Sequence, residues 1–162
     1  MHPFFLSVLL SMTPTLPSGG VVVAKGECFR AEAALTQKEQ TNGLMRRESL
    51  AKDHCMIFIY REDGDHRIWM KNCLISLDVV WVQGDGTIAE FAENVPPLSP
   101  MYNDEEAPTY GGKVPSRHFI EFPSGTIKRL GLKVGDRIGW SLKQENGQPI
   151  LGGAPVGKNC KP

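Results

Sequence analysis

The chain has 162 residues, of which 41% are hydrophobic and 22% charged, and its 18 basic and 18 acidic residues balance to a formal net charge of zero. This length allows one domain with its own hydrophobic core. Nucleic-acid binding proteins usually carry a basic face or tail, so the balanced charge predicts no nucleic-acid partner. The 17 glycines and 12 prolines indicate many turns and argue against a helical bundle.

The first segment, residues 1–20, is predicted to be a signal peptide. Residues 4–12, FFLSVLLSM, form an apolar run too short to span a bilayer, and small or helix-breaking residues follow it. The segment lacks the basic residues that usually begin a signal peptide, so a disordered start to a cytosolic protein is the alternative. We predict export to the periplasm or the cell exterior, with no transmembrane segment in the mature chain, because no other stretch is as apolar.

Two strands and a helix are predicted next. VVVA (21–24) is the first strand signal, and CFRAEAAL (28–35) alternates apolar and polar residues with the period of a strand. Thr36 and Glu39 have the spacing of a capping box, which satisfies free amides at the start of a helix. We expect this helix to end near Gly43, because glycine is unfavourable within helices.

Four further strands are predicted in two hairpins. MIFIY (56–60) and HRIWMKN (66–72) are joined by a turn that contains Asp-Gly, and LDVVWV (77–82) and TIAEFAENV (87–95) are joined by Gly-Asp-Gly. The residues CLIS form a tight connection between the two hairpins. Strands that follow one another through short links predict an antiparallel meander rather than a βαβ fold.

The third of these strands is apolar on both faces. Leu77, Val79 and Trp81 point to one side, and Val80 and Val82 point to the other. Both sides must then be covered, either by a sheet folded over itself or by a helix. We therefore predict an α+β fold class, mainly antiparallel β, in the form of a small barrel or rolled sheet with one or two short helices.

The last predicted elements are a strand at 116–122, a short helix capped by Ser124 and ended by Gly131, and a final strand, DRIGWSL. The chain is thus predicted to contain one domain over residues 21–142. Residues 143–162 form a tail that is rich in glycine and proline, and we expect it to be poorly ordered.

Lys71 and Asp78 are charged residues within the most apolar part of the sequence. If CLIS is the loop, Lys71 lies opposite Asp78 on the neighbouring strand, within reach of a side-chain contact. Because a buried charge without a partner is strongly unfavourable, each charge predicts the other. We expect a cross-strand ion pair, which either fixes the register of the strands or lines a ligand pocket.

If the ion pair lines a ligand pocket, a binding site is expected around it. Residues 96–114 form a long, proline-rich, acidic loop, and loops of this length are often functional. We expect the loop to act as a lid over a pocket that binds a small polar ligand or a peptide. The predicted ligand-binding residues are Trp69, Lys71, Asn72, Asp78 and Asn94.

The cysteines and histidines predict neither a metal site nor a cofactor. No C-x-x-C or metal-ligand spacing is present, and the four histidines fall on separate elements. In an exported protein, Cys28 with Cys160 and Cys55 with Cys73 are candidate disulfides, although Cys55 and Cys73 are equally interpreted as small buried hydrophobic residues. His118 is more typical of a core residue than of a ligand.

The sequence favours a non-catalytic binding module over an enzyme. No G-x-S-x-G, P-loop or G-x-G-x-x-G motif is present, and Cys73 has no assigned base to activate it as a nucleophile. An enzyme of undetermined class, with Lys71 or Asp78 as acid or base, is the alternative, since burial would shift the pKa of such a group.

The motifs GLMRRESL, WMKNCLISLDVVWV, GTIAEFAENVPP and FIEFPSGTIKRLGLKVGDRI carry a family resemblance over about residues 28–142. In order and spacing, the chain resembles the DUF 192 family of domains of unknown function, also named UPF 0127. The family pattern W/Y-M-K-N-T-x-I-P-L-D is matched except at Cys73 and Ser76, which replace threonine and proline. A loop cysteine found in relatives is absent, so no function that depends on it is expected. The resemblance implies one β-rich domain, often behind a signal sequence, and brings no established reaction or cofactor.

Overall fold

The computed structural model describes residues 19–144 and 146–160, so most of the predicted signal segment lies outside the described residues. Eight strands and two short helices are found in this part of the chain. In order they are β1 (Gly19–Ala24), β2 (Glu27–Ala34), α1 (Gln37–Asn42), β3 (His54–Gly64), β4 (Leu77–Val82), β5 (Ile88–Val95), β6 (Ser116–Pro123), α2 (Thr126–Leu130), β7 (Ile138–Lys143) and β8 (Pro149–Gly153).

All eight strands belong to one curled sheet, in the order β5-β4-β6-β3-β2-β1-β7-β8. Neighbouring strands are antiparallel except β2 and β3, which run parallel because α1 returns the chain between them. The curl brings β5 to β7: the Ile88 amide donates to the Asp136 carbonyl at 2.8 Å, and the Ile138 amide donates to the Gly86 carbonyl at 2.9 Å. The predicted fold class, a rolled and mainly antiparallel sheet with two short helices, is confirmed.

The curl gives the sheet an inner and an outer face, and each face carries a hydrophobic core. The inner core contains Val80 and Val82 of β4 and is closed by Ile127 of α2. The outer core contains Leu77, Val79 and Trp81 of β4, together with Leu44, Ile68 and Met70 from segments that cross this face. Every residue of β4 is buried, which confirms the predicted burial of this strand on both faces.

Helix α1 begins and ends where the sequence predicts. The Glu39 amide donates to Thr36 Oγ1 at 3.2 Å, and the Thr36 amide donates to Glu39 Oε2 at 2.8 Å, which completes the capping box. Gly43 follows the helix with a φ of 45°, a left-handed value that glycine tolerates. Leu44 then turns into the outer core.

The prediction of a hairpin between residues 56–60 and 66–72 is wrong. Strand β3 is hydrogen-bonded on one side to β2 and on the other to β6, so neither of its edges is free for the segment that follows it. Residues 66–72 instead cross the outer face, where Ile68 makes a single bridge with Tyr110. The predicted meander is therefore absent, whereas the predicted hairpin of β4 and β5 is confirmed.

Helix α2 ends at Gly131 as predicted, but its start differs from the prediction. The residue before the helix is Gly125, with a φ of 87°, and it supplies no side-chain cap. Ser124 Oγ instead donates to Asn94 Oδ1 in the β4–β5 hairpin. Ser124 therefore does not cap α2, and another group satisfies the first turn.

The tail contains a strand that the sequence did not predict. β8 pairs with β7, and Gly152 lies against the ring of Trp140 so closely that a Cβ atom at this position would be only 2.2 Å from it. Cys160 forms a disulfide with Cys28 of β2, one of the two predicted pairs. A high content of glycine and proline is typical of disorder, which is why the composition suggested a poorly ordered tail. In this tail, however, glycine also allows close packing against a ring. No helix in the described part of the chain is long and apolar enough to cross a membrane.

Candidate functional site

Asp78 lies in the inner core and has no contact with Lys71. Its side chain is 0% exposed and accepts two backbone hydrogen bonds, from the Asn94 amide and from the Ile127 amide, both at 2.8 Å. The second bond satisfies the first turn of α2 in place of a cap. The carboxylate thus fixes both the β4–β5 hairpin and α2, which is a structural role.

The predicted ion pair between Lys71 and Asp78 is wrong. Lys71 Nζ is paired with Asp104 of the long loop and lies 4.9 Å from the ring centroid of Trp69. The physical reason is the position of residues 66–72: they cross the outer face and do not form a strand beside β4. The buried carboxyl group of Asp78 needs hydrogen-bond partners, and backbone amides provide them in place of Lys71.

The five predicted site residues therefore fall into two groups. Trp69, Lys71 and Asn72 lie on the segment that covers the outer face, whereas Asp78 and Asn94 lie together on the inner side near α2. Asn72 has a φ of 55°, and Asn94 has a φ of 50°. Asparagine tolerates such left-handed values, so both residues shape turns of the backbone.

Replacing Asp78 separates this description from the predicted ion pair. We expect Asp78→Ala to lower the free energy of unfolding by about 3 kcal/mol, because two backbone amides, one buried and one partly buried, lose their acceptor. Lys71→Met should cost less than about 1 kcal/mol, since its ion pair is partly exposed. Urea unfolding of both variants measures the two losses. A loss at Lys71→Met as large as at Asp78→Ala would contradict the assignment.

A cavity of about 190 Å³ lies on the outer face, between the turn after α1, strands β3 and β6, and the segment around Trp69. Trp69 is the one predicted site residue in its wall. The lining residues are Gln40, Thr41, Asn42, Gly43, Leu44, Met45, Phe58, Tyr60, Arg67, Ile68, Trp69, Cys73, Phe119 and Glu121. Most of them are apolar or aromatic, as is usual for ligand sites, and few are charged.

Glu121 is the unusual group in this wall. It lies in β6 between Met56 of β3 and Val79 of β4, in the interior of the sheet, and is 7% exposed. Its Oε2 atom is buried and has no hydrogen-bond partner among the described residues. Burial raises the pKa of Glu121 from 4.5 to about 8, against the opposing positive charge of Arg47. The carboxyl group is therefore mostly protonated at neutral pH.

Arg47 does not neutralise Glu121, because a different carboxylate binds it. Its guanidinium donates two hydrogen bonds to Glu32 of β2, at 2.5 and 2.6 Å. These bonds raise the pKa of Arg47 above its ordinary value, against the effect of its burial. A two-pronged arginine–carboxylate pair is geometrically satisfied. Glu121 therefore remains beside a pair that is already complete.

Two further ionisable groups of the cavity are held neutral. Burial, reinforced by the charge of Glu121, raises the pKa of Tyr60 to about 12 and that of Cys73 to about 11. The thiolate is the reactive form of cysteine, so the Cys73 thiol is not an activated nucleophile at neutral pH. Cys73 and the fully buried Cys55 are both free, which excludes the second predicted disulfide.

His118 is a buried core residue, as predicted, and lies on the face of β6 opposite to Glu121. Its Nδ1 atom accepts a hydrogen bond from the Tyr60 amide at 3.2 Å, and its ring meets that of Trp140 edge-on at 5.2 Å. Burial, and then the positive charges of Arg117 and His66, lower its pKa to about 4 against the effect of Asp63. The ring is therefore neutral and serves as an acceptor.

A second cavity, of about 520 Å³, lies along β7 and β8. It is larger, but its described lining residues are mostly glycine and aliphatic, and the exposed Lys143 is their one ionisable side chain. No group of three histidine, cysteine, aspartate or glutamate side chains in residues 19–144 and 146–160 is arranged to hold a metal ion. The outer-face cavity is therefore the candidate site, because its wall includes Glu121, whose Oε2 atom is buried without a hydrogen-bond partner among the described residues.

Sequence reasoning missed Glu121, although a signal was present. In SRHFIEF the alternation of β6 places Glu121 on the same face as Phe119, at the centre of an otherwise apolar surface. A lone acid at such a position in a central strand is uncommon. The sequence does not show that the neighbouring cation, Arg47, is already bound to Glu32.

This is a small single-domain protein, a curled half-barrel with a cavity on its outer face whose wall contains a buried carboxyl oxygen, Glu121 Oε2, that has no partner among the described residues. The chain belongs to the DUF192 family, described as "Uncharacterized ACR", whose profile matches residues 20–140. No curated protein matches the chain.

Two solved structures are similar to this protein. A protein of unknown function from Novosphingobium aromaticivorans is 31% identical, with a TM-score of 0.64 over 76% of this chain and 84% of that one. A protein from Sinorhizobium meliloti, described as a "putative transcription regulator", is 31% identical, with a TM-score of 0.64 over 75% of this chain and 91% of that one. Both likenesses agree with the family assignment.

Proposed function

We propose that this protein is a non-catalytic binding module whose outer-face cavity holds a small polar ligand or a polar side chain of a peptide. The observation that supports it is Glu121, a residue of the cavity wall whose Oε2 atom is buried without a hydrogen-bond partner among the described residues. A buried polar group that is left unpaired is destabilising. A ligand that pairs with Glu121 removes this cost when it binds.

The size of the cavity limits the ligand. A volume of about 190 Å³ lies below the range of about 300–1,000 Å³ that is typical of ligand pockets, so the ligand is small. Rings of Phe58, Tyr60, Trp69 and Phe119 contribute to the walls. A short aliphatic chain that ends in one polar group fits both the volume and the lining.

The contacts of the long loop, residues 96–114, support its role as a cover for the cavity mouth. Its Tyr110 pairs with Ile68, and its Asp104 is bound to Lys71, which in turn lies over the ring of Trp69. Trp69 is 37% exposed and lines the cavity. The loop is thus attached to the segment that forms one wall, and we propose that it limits access to Glu121.

We do not propose the enzyme alternative. Lys71 and Asp78 are not brought together, Asp78 is fully used by backbone amides, and the Cys73 thiol is protonated. A nucleic-acid partner is not proposed either, because the formal net charge is zero. We propose export, which the Cys28–Cys160 disulfide supports because such bonds persist in oxidising compartments.

Three small probes of matched chain length test the binding function: n-butanol, butyramide and butylammonium chloride. We expect at least one of them to shift the NMR amide resonances of cavity residues such as Gly43 and Phe119 in a saturable way. Cys73→Phe places a ring in the cavity wall and should abolish the shifts. Leu74→Phe is the matched control, since Leu74 is exposed and does not line the cavity. No saturable shift with any probe would overturn the proposal.

A further inference from the structure

The charges around Glu121 indicate which polar group the cavity accepts. Arg47, from the segment after α1, is neutralised by Glu32 of β2. Tyr60 of β3 and Cys73 are neutral at physiological pH because burial raises the pKa of both. If Glu121 ionises, the nearby Arg47 is not available as its counterion, because Glu32 already binds it.

Arg67 is the one basic residue of the described lining, and it does not serve as the counterion of Glu121. It is an exposed residue, and its Cγ and Nε atoms lie against the backbone of Gly112, where a Cβ would be 2.8 Å from them. The structure records no ion pair between Arg67 and Glu121. Arg67 therefore belongs to the rim of the cavity, and the rest of the described lining contains one carboxyl group and no cation.

The aromatic rings in the cavity wall favour a cationic ligand. Phe58, Tyr60 and Phe119 are close neighbours, with Phe58 and Phe119 stacked at 4.2 Å and Tyr60 at 6.0 Å from Phe119. Ring faces attract cations. The Lys71 ammonium lies 4.9 Å from the centroid of the Trp69 ring, so one ring of the cavity wall contacts a cation within the protein itself, although Lys71 does not line the cavity.

We infer that the cavity binds a small organic cation, an alkylammonium group such as the end of a lysine side chain, with the Glu121 carboxylate as its counterion. This inference rests on the binding function proposed above and names its ligand class. When the cation binds, the carboxyl group of Glu121 releases its proton to solvent, and the ammonium replaces that proton as the partner of the carboxylate. A buried charge that gains an opposite charge and hydrogen bonds becomes tolerable.

Proton release makes binding of the cation depend on pH. Because the pKa of Glu121 is about 8, the ionised fraction rises about fiftyfold between pH 6 and pH 8. Butylammonium keeps its charge throughout this range, as lysine does. Its dissociation constant should therefore fall by a similar factor, whereas that of neutral butyramide should change little.

The test compares butylammonium with butyramide, each titrated by NMR at pH 6 and pH 8 at constant ionic strength. At pH 8 we expect butylammonium to bind at least about tenfold more tightly than butyramide, because its hydrogen bond is charge-assisted. Calorimetry in two buffers of different ionisation enthalpy should show release of up to one proton. Glu121→Gln should remove the preference and the pH dependence. Glu93→Gln, a loss of charge at an exposed residue of β5, should retain both.

The outcomes separate this inference from the function on which it rests. Saturable binding of butyramide or butanol without preference for butylammonium would overturn the cation as ligand and leave the cavity as a binding site. Binding of butylammonium that survives in Glu121→Gln would overturn Glu121 as the counterion. Binding of no probe would overturn both proposals.

Discussion

Glu121→Gln is expected to make the protein more stable at alkaline pH and to remove most of the decline in stability above neutrality. In the folded protein Glu121 keeps its proton up to about pH 8, whereas in the unfolded chain it loses the proton near pH 4.5. Between these values the folded state binds more protons, so stability falls as pH rises. The full shift corresponds to about 5 kcal/mol, and glutamine cannot ionise.

His118 sets the pH window in which this effect is measured. Its pKa falls from 6.5 to about 4 on folding, so the unfolded state binds more protons between these values and stability rises with pH there. The two residues therefore oppose each other below pH 6.5. Above it Glu121 dominates, and we expect the wild-type protein to lose about 2 kcal/mol between pH 6.5 and 8.5.

Urea unfolding at pH 6.5, 7.5 and 8.5 measures this decline without any ligand. The Glu121→Gln curve should be nearly flat over the range, whereas Glu93→Gln should follow the wild type. Parallel curves for the wild type and Glu121→Gln would show that Glu121 has an ordinary pKa. The buried and unpartnered state of its carboxyl group would then be wrong.

Loss of the Cys28–Cys160 disulfide is expected to lower the free energy of unfolding by about 5 kcal/mol. Cys28 and Cys160 are separated by 132 residues. A cross-link that closes a loop of this length lowers the conformational entropy of the unfolded chain, which stabilises the folded state by about 5 kcal/mol. The bond also connects the segment after β8 to β2. We therefore expect the double variant Cys28→Ser, Cys160→Ser to unfold at a much lower urea concentration.

The reductant dithiothreitol provides the matched control. It should lower the urea midpoint of the wild-type protein to that of the double variant and leave the double variant unchanged. Cys55 and Cys73 are free, so they should not contribute to the effect of reduction. A wild-type midpoint that does not respond to reduction would contradict the disulfide.

Local features were accessible from the sequence because nearby residues determine them. Thr36 and Glu39 are three residues apart, and their capping box depends on little else. The burial of β4 on both faces follows from Val80 and its neighbours, since alternate residues of a strand face opposite sides. The hairpin of β4 and β5 also joins adjacent segments.

Strand pairings between distant segments were not accessible. The hairpin predicted for residues 66–72 has good local signals, but β3 is paired on both sides with β2 and β6, which lie far away along the chain. The ion pair of Lys71 and Asp78 was inferred from that hairpin. When the hairpin proved wrong, the partner of Lys71 became Asp104, a residue of the long loop.

The α+β class, the elements with strong local patterns and the motifs that connect the chain with its family follow from the sequence alone. The order of the strands, the pairing of the tail with β7 and the position of the candidate site depend on contacts between distant segments and became known from the structure. Glu121 illustrates the reason: its pKa depends on burial by several segments and on an arginine that Glu32 already binds. Side-chain patterns along one strand report which face is buried, whereas the charges that meet across that face depend on every segment packed there.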